Sequence, residues 1–369
     1  MTFAMIDYVQ CEIPARLPAP ITGDIVLRHT TEGELVWQTH TRRKLVGSYD
    51  ASLHVRAIDP FRLEISGNPA KFLQGHNLWG PFSVRELLER SLQRIQPILW
   101  PEGMPTLFLG EAEFARLDVT ASLAVGSAAD AKLFLRAHHE RGNRPYVGRG
   151  CFKGTDESTL VYGDATGKRA KAWQIGLYLK GVEVTKDGHR LPQPMLEDGR
   201  LIEWINRVIR VECRFRRSEL QRIAHRRGKP MELDNSSSSK TGRKLPQMTL
   251  NDWEPIDPSE LWREYYGKID MIGEIVEPDH LGCGGMGEPK PRHIAAFYSW
   301  KAGLDLREHY KKSQWYALRS ECREFFEIDI AMPPPKLNVV PLRRIIDAQP
   351  AHRPPWADDV DRRLSARAA

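Results

Sequence analysis

Four stretches of this chain alternate apolar and polar residues so regularly that a half-buried sheet must be its scaffold. In Arg116-Leu-Asp-Val-Thr-Ala-Ser122, the residues Arg116, Asp118, Thr120 and Ser122 share one face, and Leu117, Val119 and Ala121 share the other. In Ile175–Val182, Ile175, Leu177 and Leu179 point to a core while Tyr178 and Lys180 point away together. In Ile209–Phe215, Glu212 lies between Arg210 and Arg214 on the polar face, and Phe61–Ser66 carries Glu64 on its own. Side chains of a strand alternate between two faces, so this pattern buries one side of a sheet and leaves the other polar, as antiparallel sheets allow.

A plain solvated face is the simplest account of those polar residues. Solvated faces, however, usually mix Lys, Glu and Thr, whereas here single acids stand beside arginines. Glu64, Asp118 and Glu212, joined by a histidine, are the donor types that hold a divalent metal against a phosphodiester. Tyr178 beside Lys180 suits a nucleophile. A phenol titrates at about 10 and attacks at neutral pH only if a cation or metal favours the phenolate.

The histidine comes from Asn68-Pro-Ala-Lys-Phe-Leu-Gln-Gly-His-Asn77. Asn68 and Pro69 read as the N-cap and first residue of a short helix, and Gly75 ends it. His76 and Asn77 follow the last turn. An imidazole there and Glu64 on the preceding strand could share one hard-cation or phosphate site. The simpler alternative is a helix-ending turn whose histidine bonds to backbone.

Composition narrows the class. With 41% hydrophobic and 28% charged residues over 369 positions, the chain suits a soluble globular protein. It has no run of 18 apolar residues, and its start lacks a charged region followed by an apolar one, so neither a membrane span nor a secretory signal is expected. Five scattered cysteines, never paired as C-x-x-C, suit reduced thiols in a cytoplasm. Net charge is +6, and its placement matters more than its size. Arg214, Arg216, Arg217, Arg222, Arg226, Arg227 and Lys229 crowd one segment against Glu219, and Lys168, Arg169 and Lys171 form a second cluster. Such clusters match a phosphate backbone, although a solvated helix face is the alternative for each.

Along the chain, Ser83-Val-Arg-Glu86 is a capping box opening a helix with Val84, Leu87, Leu88, Leu92 and Ile95 on its apolar side. Further helices are expected over about 128–141 and from Ser218 to Gly228. A mixed domain over 1–231 leads to a polar linker at 232–249. A mainly helical, DNA-binding-like domain is expected over 250–347, with Ser313 capping a helix; a helix-turn-helix would carry its Gln314, Trp315, Arg319 and Arg323 outward, and an ordinary helical hairpin is the equal alternative. An extended Pro-rich tail follows at 348–369. Two phosphate-loop motifs fail on context: Gly282–Gly287 is followed by Glu288-Pro-Lys-Pro where a helix must begin, and Gly163–Arg169 is too short, with arginine where Ser or Thr is needed.

The sequence resembles the replication initiator nickases of filamentous bacteriophages, the gene II protein family. The resemblance is nearly chain-long. It is carried by Met5-Ile-Asp, Asn68-Pro-Ala-Lys-x-Leu-Gln-Gly-His-Asn-x-x-Gly80, Arg116-x-Asp118 with Thr120-x-Ser122, Tyr178-Leu-Lys180 with Glu183, Arg210-Val-Glu212, Asn338-Val-Val-Pro-Leu342 and Arg353-Pro-x-Trp356. The block around His76 is specific, and the order of the short motifs supports it. The resemblance implies an α+β fold whose antiparallel sheet forms a rolling-circle, HUH-like nuclease domain. It implies nicking of double-stranded phage replicative-form DNA at the plus origin, priming of rolling-circle synthesis by the 3′-hydroxyl, and rejoining of the displaced strand. Tyr178 becomes the nucleophile, Lys180 its electrostatic partner, and Glu64, His76, Asp118 and Glu212 the ligands of Mg²⁺ or Mn²⁺. Origin DNA would be held by Arg116, Arg210, Arg214, Arg222, Arg226, Arg227, Lys168 and Arg169. The host's replication helicase and polymerase would be partners, and the host cytoplasm the location. The wider class shows two histidines about a hydrophobic residue and Tyr-x-x-Lys; this chain has one histidine in the matching block and Tyr-x-Lys. Two alternatives share the pattern: a non-catalytic origin-binding repressor, and a plasmid or transposon initiator.

Overall fold

The structure is a computed structural model. It describes residues 3–19, 21, 25–47, 49, 51–140, 143–144, 148–163, 172–186, 190–233, 243–270, 289–326, 328–332, 334 and 348–368. Lys168, Arg169 and Lys171, the Gly282–Gly287 motif, Asn338–Leu342 and most of the polar linker lie outside those residues.

The fold is α+β and is built on one antiparallel sheet. Its main path uses nine strands: β1 (Met5–Arg16), β2 (Arg43–Val46), β3 (Ser52–Asp59), β4 (Arg62–Gly67), β5 (Glu113–Ala124), β6 (Cys151–Phe152), β7 (Thr159–Tyr162), β8 (Trp173–Leu179) and β9 (Val208–Arg216). They run in the order β6-β7-β8-β9-β5-β1-β4-β3-β2, and two short strands, Thr106–Leu107 and Gln349–Pro350, complete the eleven among the described residues. The centre is long: β5 pairs with β9 from Val208↔Ala124 to Arg216↔Arg116 and with β1 on its other side.

Register puts the four expected polar faces on one side of this sheet. Tyr178 lies opposite Arg210, Glu212 opposite Thr120, Arg214 opposite Asp118, and Glu64 opposite both Glu12 and Arg56. The other side carries Leu117, Val119, Ala121, Ile175, Leu177, Ile209, Val211, Cys213 and Phe215, all buried. Helices Val84–Leu99, Ala128–Glu140 and Arg217–Arg226 bury their apolar stripes in the same core. Burying a Leu or Ile side chain is worth roughly 1.5–3 kcal/mol, so Leu220 and Ile223 alone hold the arginine-rich helix firmly on that side.

The short helix before His76 forms as its sequence dictates. Asn68 accepts from Lys71 N at 2.8 Å, Pro69 opens the helix, and Gly75 closes it at φ 82, a left-handed conformation that favours glycine. A Cβ there would also strike the Tyr49 ring.

Four expectations about the second half change. Residues 250–270 do not join a separate helical unit: Leu250, Trp253, Trp262, Tyr265 and Ile269 belong to the core under the sheet, and Trp262 Nε1 donates to Val211 O at 3.1 Å. A separate apolar cluster is made by Pro291–Lys301 and Lys312–Phe326. There Trp315 is buried rather than outward, because Trp315, Leu318, Cys322 and Phe326 form the apolar stripe of their helix, and Arg319 and Arg323 both pair with Asp329. Lys312, one residue before Ser313, opens that helix.

The tail is not simply extended. Gln349–Pro350 pairs with β5, Ala351 N donates to Ser122 O at 2.7 Å, and Ala357–Ala368 is a helix. Ala357, Val360 and Leu364, spaced for one helical face, are buried against Leu78, Trp79, Leu201 and Ile205. Among the described residues no helix is long and apolar enough to cross a membrane.

Candidate active site

The polar face is organised by Asn77, which the 68–77 block delivers to the end of β8. Its Oδ1 accepts from Lys180 Nζ at 3.0 Å, its Nδ2 donates to Asp7 Oδ1 at 2.8 Å, and its carbonyl accepts from Arg210 Nη2. Asp7 sits at a β-bulge of β1, between Ile6 opposite Val119 and Tyr8 opposite Asp118, and also accepts from Asn68 Nδ2 at 2.5 Å. A bulge re-aims one side chain out of the alternation, which strand periodicity alone does not reveal.

Alternation places Lys180 on the strand beside Tyr178. The strand instead ends at Leu179, and Lys180 opens the helical turn Lys180–Glu183. Gly181 permits this turn, since a Cβ there would strike the Asn206 side chain. Lys180 Nζ bonds Glu183 at 2.5 Å and lies 5.9 Å from the Tyr178 ring centroid. Burial chiefly lowers the Lys180 pKa.

Tyr178 Oη donates to Glu212 Oε2 at 3.3 Å. Burial, followed by the Glu212, Glu183 and Asp7 carboxylates, raises this phenol well above its ordinary value, with Arg210 opposing them. Glu212 is itself buried, yet the adjoining Arg214 holds its pKa below the usual carboxylate value. Asp118 goes the other way. Burial, with Glu212 adding to it, pushes its carboxyl up to about 8 against the paired guanidinium of Arg116. Burial thus favours the proton on Asp118, and Arg214 favours the charge on Glu212. Asp7 is likewise raised, by burial first.

Among the described residues, two buried polar atoms in this neighbourhood lack a hydrogen-bond partner: Arg210 Nε and Thr120 Oγ1. Thr120 stands opposite Glu212, and Arg210 opposite Tyr178. Unpaired buried donors are costly, about 1–3 kcal/mol each, and mark a place where a ligand or water is accommodated.

The expected ligand residues divide. Asp118 and Glu212 adjoin each other. Glu64 is engaged separately by Gln10 at 2.9 Å, by Arg42 at 2.6 Å and by Arg56, which together hold its pKa low despite burial. His76 is turned to the C-terminal helix: its Nε2 lies 2.9 Å from Asp361 Oδ1, and Leu78 N and Gln74 Nε2 approach Nδ1 at 3.4 Å. Burial lowers its pKa, with Asp361 working against that. Among the described residues no three His, Cys, Asp or Glu side chains gather as a metal-ligand group. Glu64, His76, Asp118 and Glu212 therefore do not fit one ion as they stand.

The expected DNA-contacting arginines divide as well. Arg116 and Arg214 flank Asp118 on the site face, with Arg214 Nε 3.9 Å from Asp118. Arg210 is only 1% exposed and serves the interior of the site rather than its surface. Arg222 pairs with Glu219 at 2.7 Å and Arg226 with Glu264 at 3.0 Å, on the helix that packs against the opposite, apolar side of the sheet. Arg227 caps that helix and is exposed.

Comparison with known proteins decides the family. The family model for the N-terminal part of the phage replication-associated protein, the gene II protein, matches residues 5–238. The chain belongs to this family. It is also 26% identical, over 376 positions, to the replication-associated gene II protein of Enterobacteria phage I2-2, covering 96% of this chain and 97% of that one. The family match spans every strand of the main path and both halves of the site, from Asp7 to Glu212. It ends before Asp361, which sequence reading of this chain also misses. The spacing of Ala357, Val360 and Leu364, with Asp358 and Asp359 in the first turn, is the available signal of a docked helix.

Proposed function

We propose that this protein initiates phage DNA replication by nicking one strand of the double-stranded replicative form at its plus origin, with Tyr178 as nucleophile. The observation that carries this reading is the Tyr178–Glu212 contact, set beside the unpartnered Nε of Arg210 in a chain of the replication-associated family. In the proposed step the Tyr178 oxygen attacks phosphorus and passes its proton to Glu212. The bond to the 3′ oxygen breaks, that oxygen leaves with the bonding electron pair and takes a proton from water, and a 3′-hydroxyl and a 5′-phosphotyrosyl link remain. Arg210 and Lys180 oppose the charge growing on the phosphate oxygens. The link conserves the phosphodiester, so attack by a later 3′-hydroxyl rejoins the strand without ATP. The host's polymerase and helicase would extend the first 3′-hydroxyl.

In the free protein the proton transfer is unfavourable, because the phenol is held up and Glu212 is held down. DNA binding must therefore bring positive charge to the phenolate or weaken the hold of Arg214 on Glu212. Mg²⁺ or Mn²⁺ enters this proposal as an ion shared with DNA phosphates, where it would neutralise phosphate oxygens.

Burial of Tyr178, only 7% exposed, favours one second reading: an origin-binding repressor that does not cut. Incubation with supercoiled replicative-form DNA and Mg²⁺ separates the two. Nicking at one position on one strand supports the initiator, and origin binding without any cleavage supports the repressor.

A further inference from the structure

We infer that Asp361, on the C-terminal helix, is a positioning residue for the site: it fixes His76 and Trp79, and through them the turn that aims Asn77 at Lys180, Asp7 and Arg210. The inference rests on the nickase reading for its kinetic consequence, but not for its geometry.

The Asp361 carboxylate gathers donors from the site's turn and from the segment that leads into its own helix. Oδ1 faces His76 Nε2 at 2.9 Å and Trp79 Nε1 at 3.3 Å; Oδ2 receives Trp79 Nε1 at 3.0 Å and Arg353 Nη2 at 2.9 Å. His76 and Trp79 bracket Asn77 in sequence, so one carboxylate grips the turn on both sides of it. A carboxylate accepts only, so it selects the Nε2–H tautomer of His76 and leaves Nδ1 to accept from Leu78 N. The ring is thereby locked at both nitrogens, and with it the backbone of 76–78.

The consequence reaches the chemistry through Asn77. Its three bonds hold Lys180 Nζ, Asp7 and Arg210 at fixed places around Tyr178. A turn free to rotate would release all three at once. The carboxylate is in turn held by its own helix. Val360 and Leu364 are buried among Leu78 and Trp79, the rings of His76 and Trp79 meet edge-on at 5.0 Å, and Arg363 pairs with Asp198. Gln349–Pro350 ties the same segment to β5. This extensive apolar and backbone attachment fits a fixed strut rather than a removable lid.

The test uses the full chain and two variants, D361A and D361N, with D359N as control; Asp359 is half exposed and pairs with Arg362 on its own helix. Asparagine still offers an oxygen to His76 Nε2, whereas alanine offers nothing. Ring ¹⁵N spectra of metal-free protein, with the His76 signals identified by loss in H76Q, report the tautomer directly. Single-turnover cleavage of origin DNA and origin affinity report the function. The expected result is a single Nε2–H tautomer for wild type, D359N and D361N, and a mixed population for D361A, where only the long 3.4 Å contacts of Leu78 N and Gln74 Nε2 to Nδ1 still favour it. The cleavage rate should fall at least about tenfold in D361A and recover largely in D361N, with origin affinity within about twofold throughout. An unchanged His76 tautomer in D361A overturns the inference. So does a D361A protein that only melts at lower temperature and cleaves at the normal rate. If wild type does not cleave at all, the nickase reading fails, while the tautomer result still decides the role of Asp361.

Discussion

Tyr178 and Glu212 meet across two neighbouring strands, phenol hydroxyl to carboxylate at 3.3 Å, and each is shifted in the direction that keeps the proton on the phenol. Glu212→Gln removes the nearest negative charge while keeping an acceptor, so Tyr178 should titrate at lower pH, read as phenolate absorbance against a Y178F blank. Nicking should nonetheless fall, by about 10²–10⁴-fold, because the proton acceptor is gone. An unshifted phenol in this variant would place Tyr178 and Glu212 apart in solution.

Asp118 carries a sign that can be checked by stability alone. Its folded pKa of about 8 lies above the value of about 3.9 for an unfolded aspartate, so folding takes up a proton between those limits. Its stabilising contribution is complete below the unfolded pKa and is lost as pH rises through the folded one. Asp118→Asn has no such proton, so the melting temperature of wild type relative to this variant should decline from pH 4 to pH 8 and then level. A difference independent of pH would mean that the Arg116 fork keeps Asp118 ionised.

Much of this arrangement is legible in the sequence, and the reason is local. The N-cap at Asn68, the left-handed Gly75 and the alternation in β5, β8 and β9 depend on neighbours a few residues away. What pattern cannot supply is register and distance along the chain. Asp7 enters the site through a bulge, Lys180 through a helical turn that begins where alternation would continue, and Asp361 from 285 residues beyond His76. Trp315 is expected outward from helix spacing alone, whereas its stripe with Leu318, Cys322 and Phe326 serves an apolar core.

The arginine-rich helix offers a test of which sheet face meets DNA. Arg222, Arg226 and Arg227 lie on a helix seated on the side away from Glu212, and two of them are already paired. Each phosphate contact adds about 0.9 to the slope of log affinity against log salt. Neutralising all three together should therefore change that slope by less than about one unit. A loss approaching three units would put DNA on the helix side.

The divided ligand residues make a metal prediction. Mn²⁺ titrated into the protein alone should show no tight stoichiometric site, since no ligand trio is assembled among the described residues. Added origin DNA should create one if the ion is shared with phosphate. Tight binding without DNA would mean that Glu64 or His76 leaves its present partners to join Asp118 and Glu212.

Everything proposed for this site turns on a covalent link between Tyr178 and DNA. A single-turnover reaction on origin duplex, followed by protease digestion and mass spectrometry of the nucleotide-bearing peptide, detects that link. The adduct should sit on Tyr178 at the 5′ side of the nick. It should vanish in Tyr178→Phe, together with an orders-of-magnitude fall in nicking, while origin binding persists. An adduct on another residue, or normal nicking by the phenylalanine variant, would overturn the assignment.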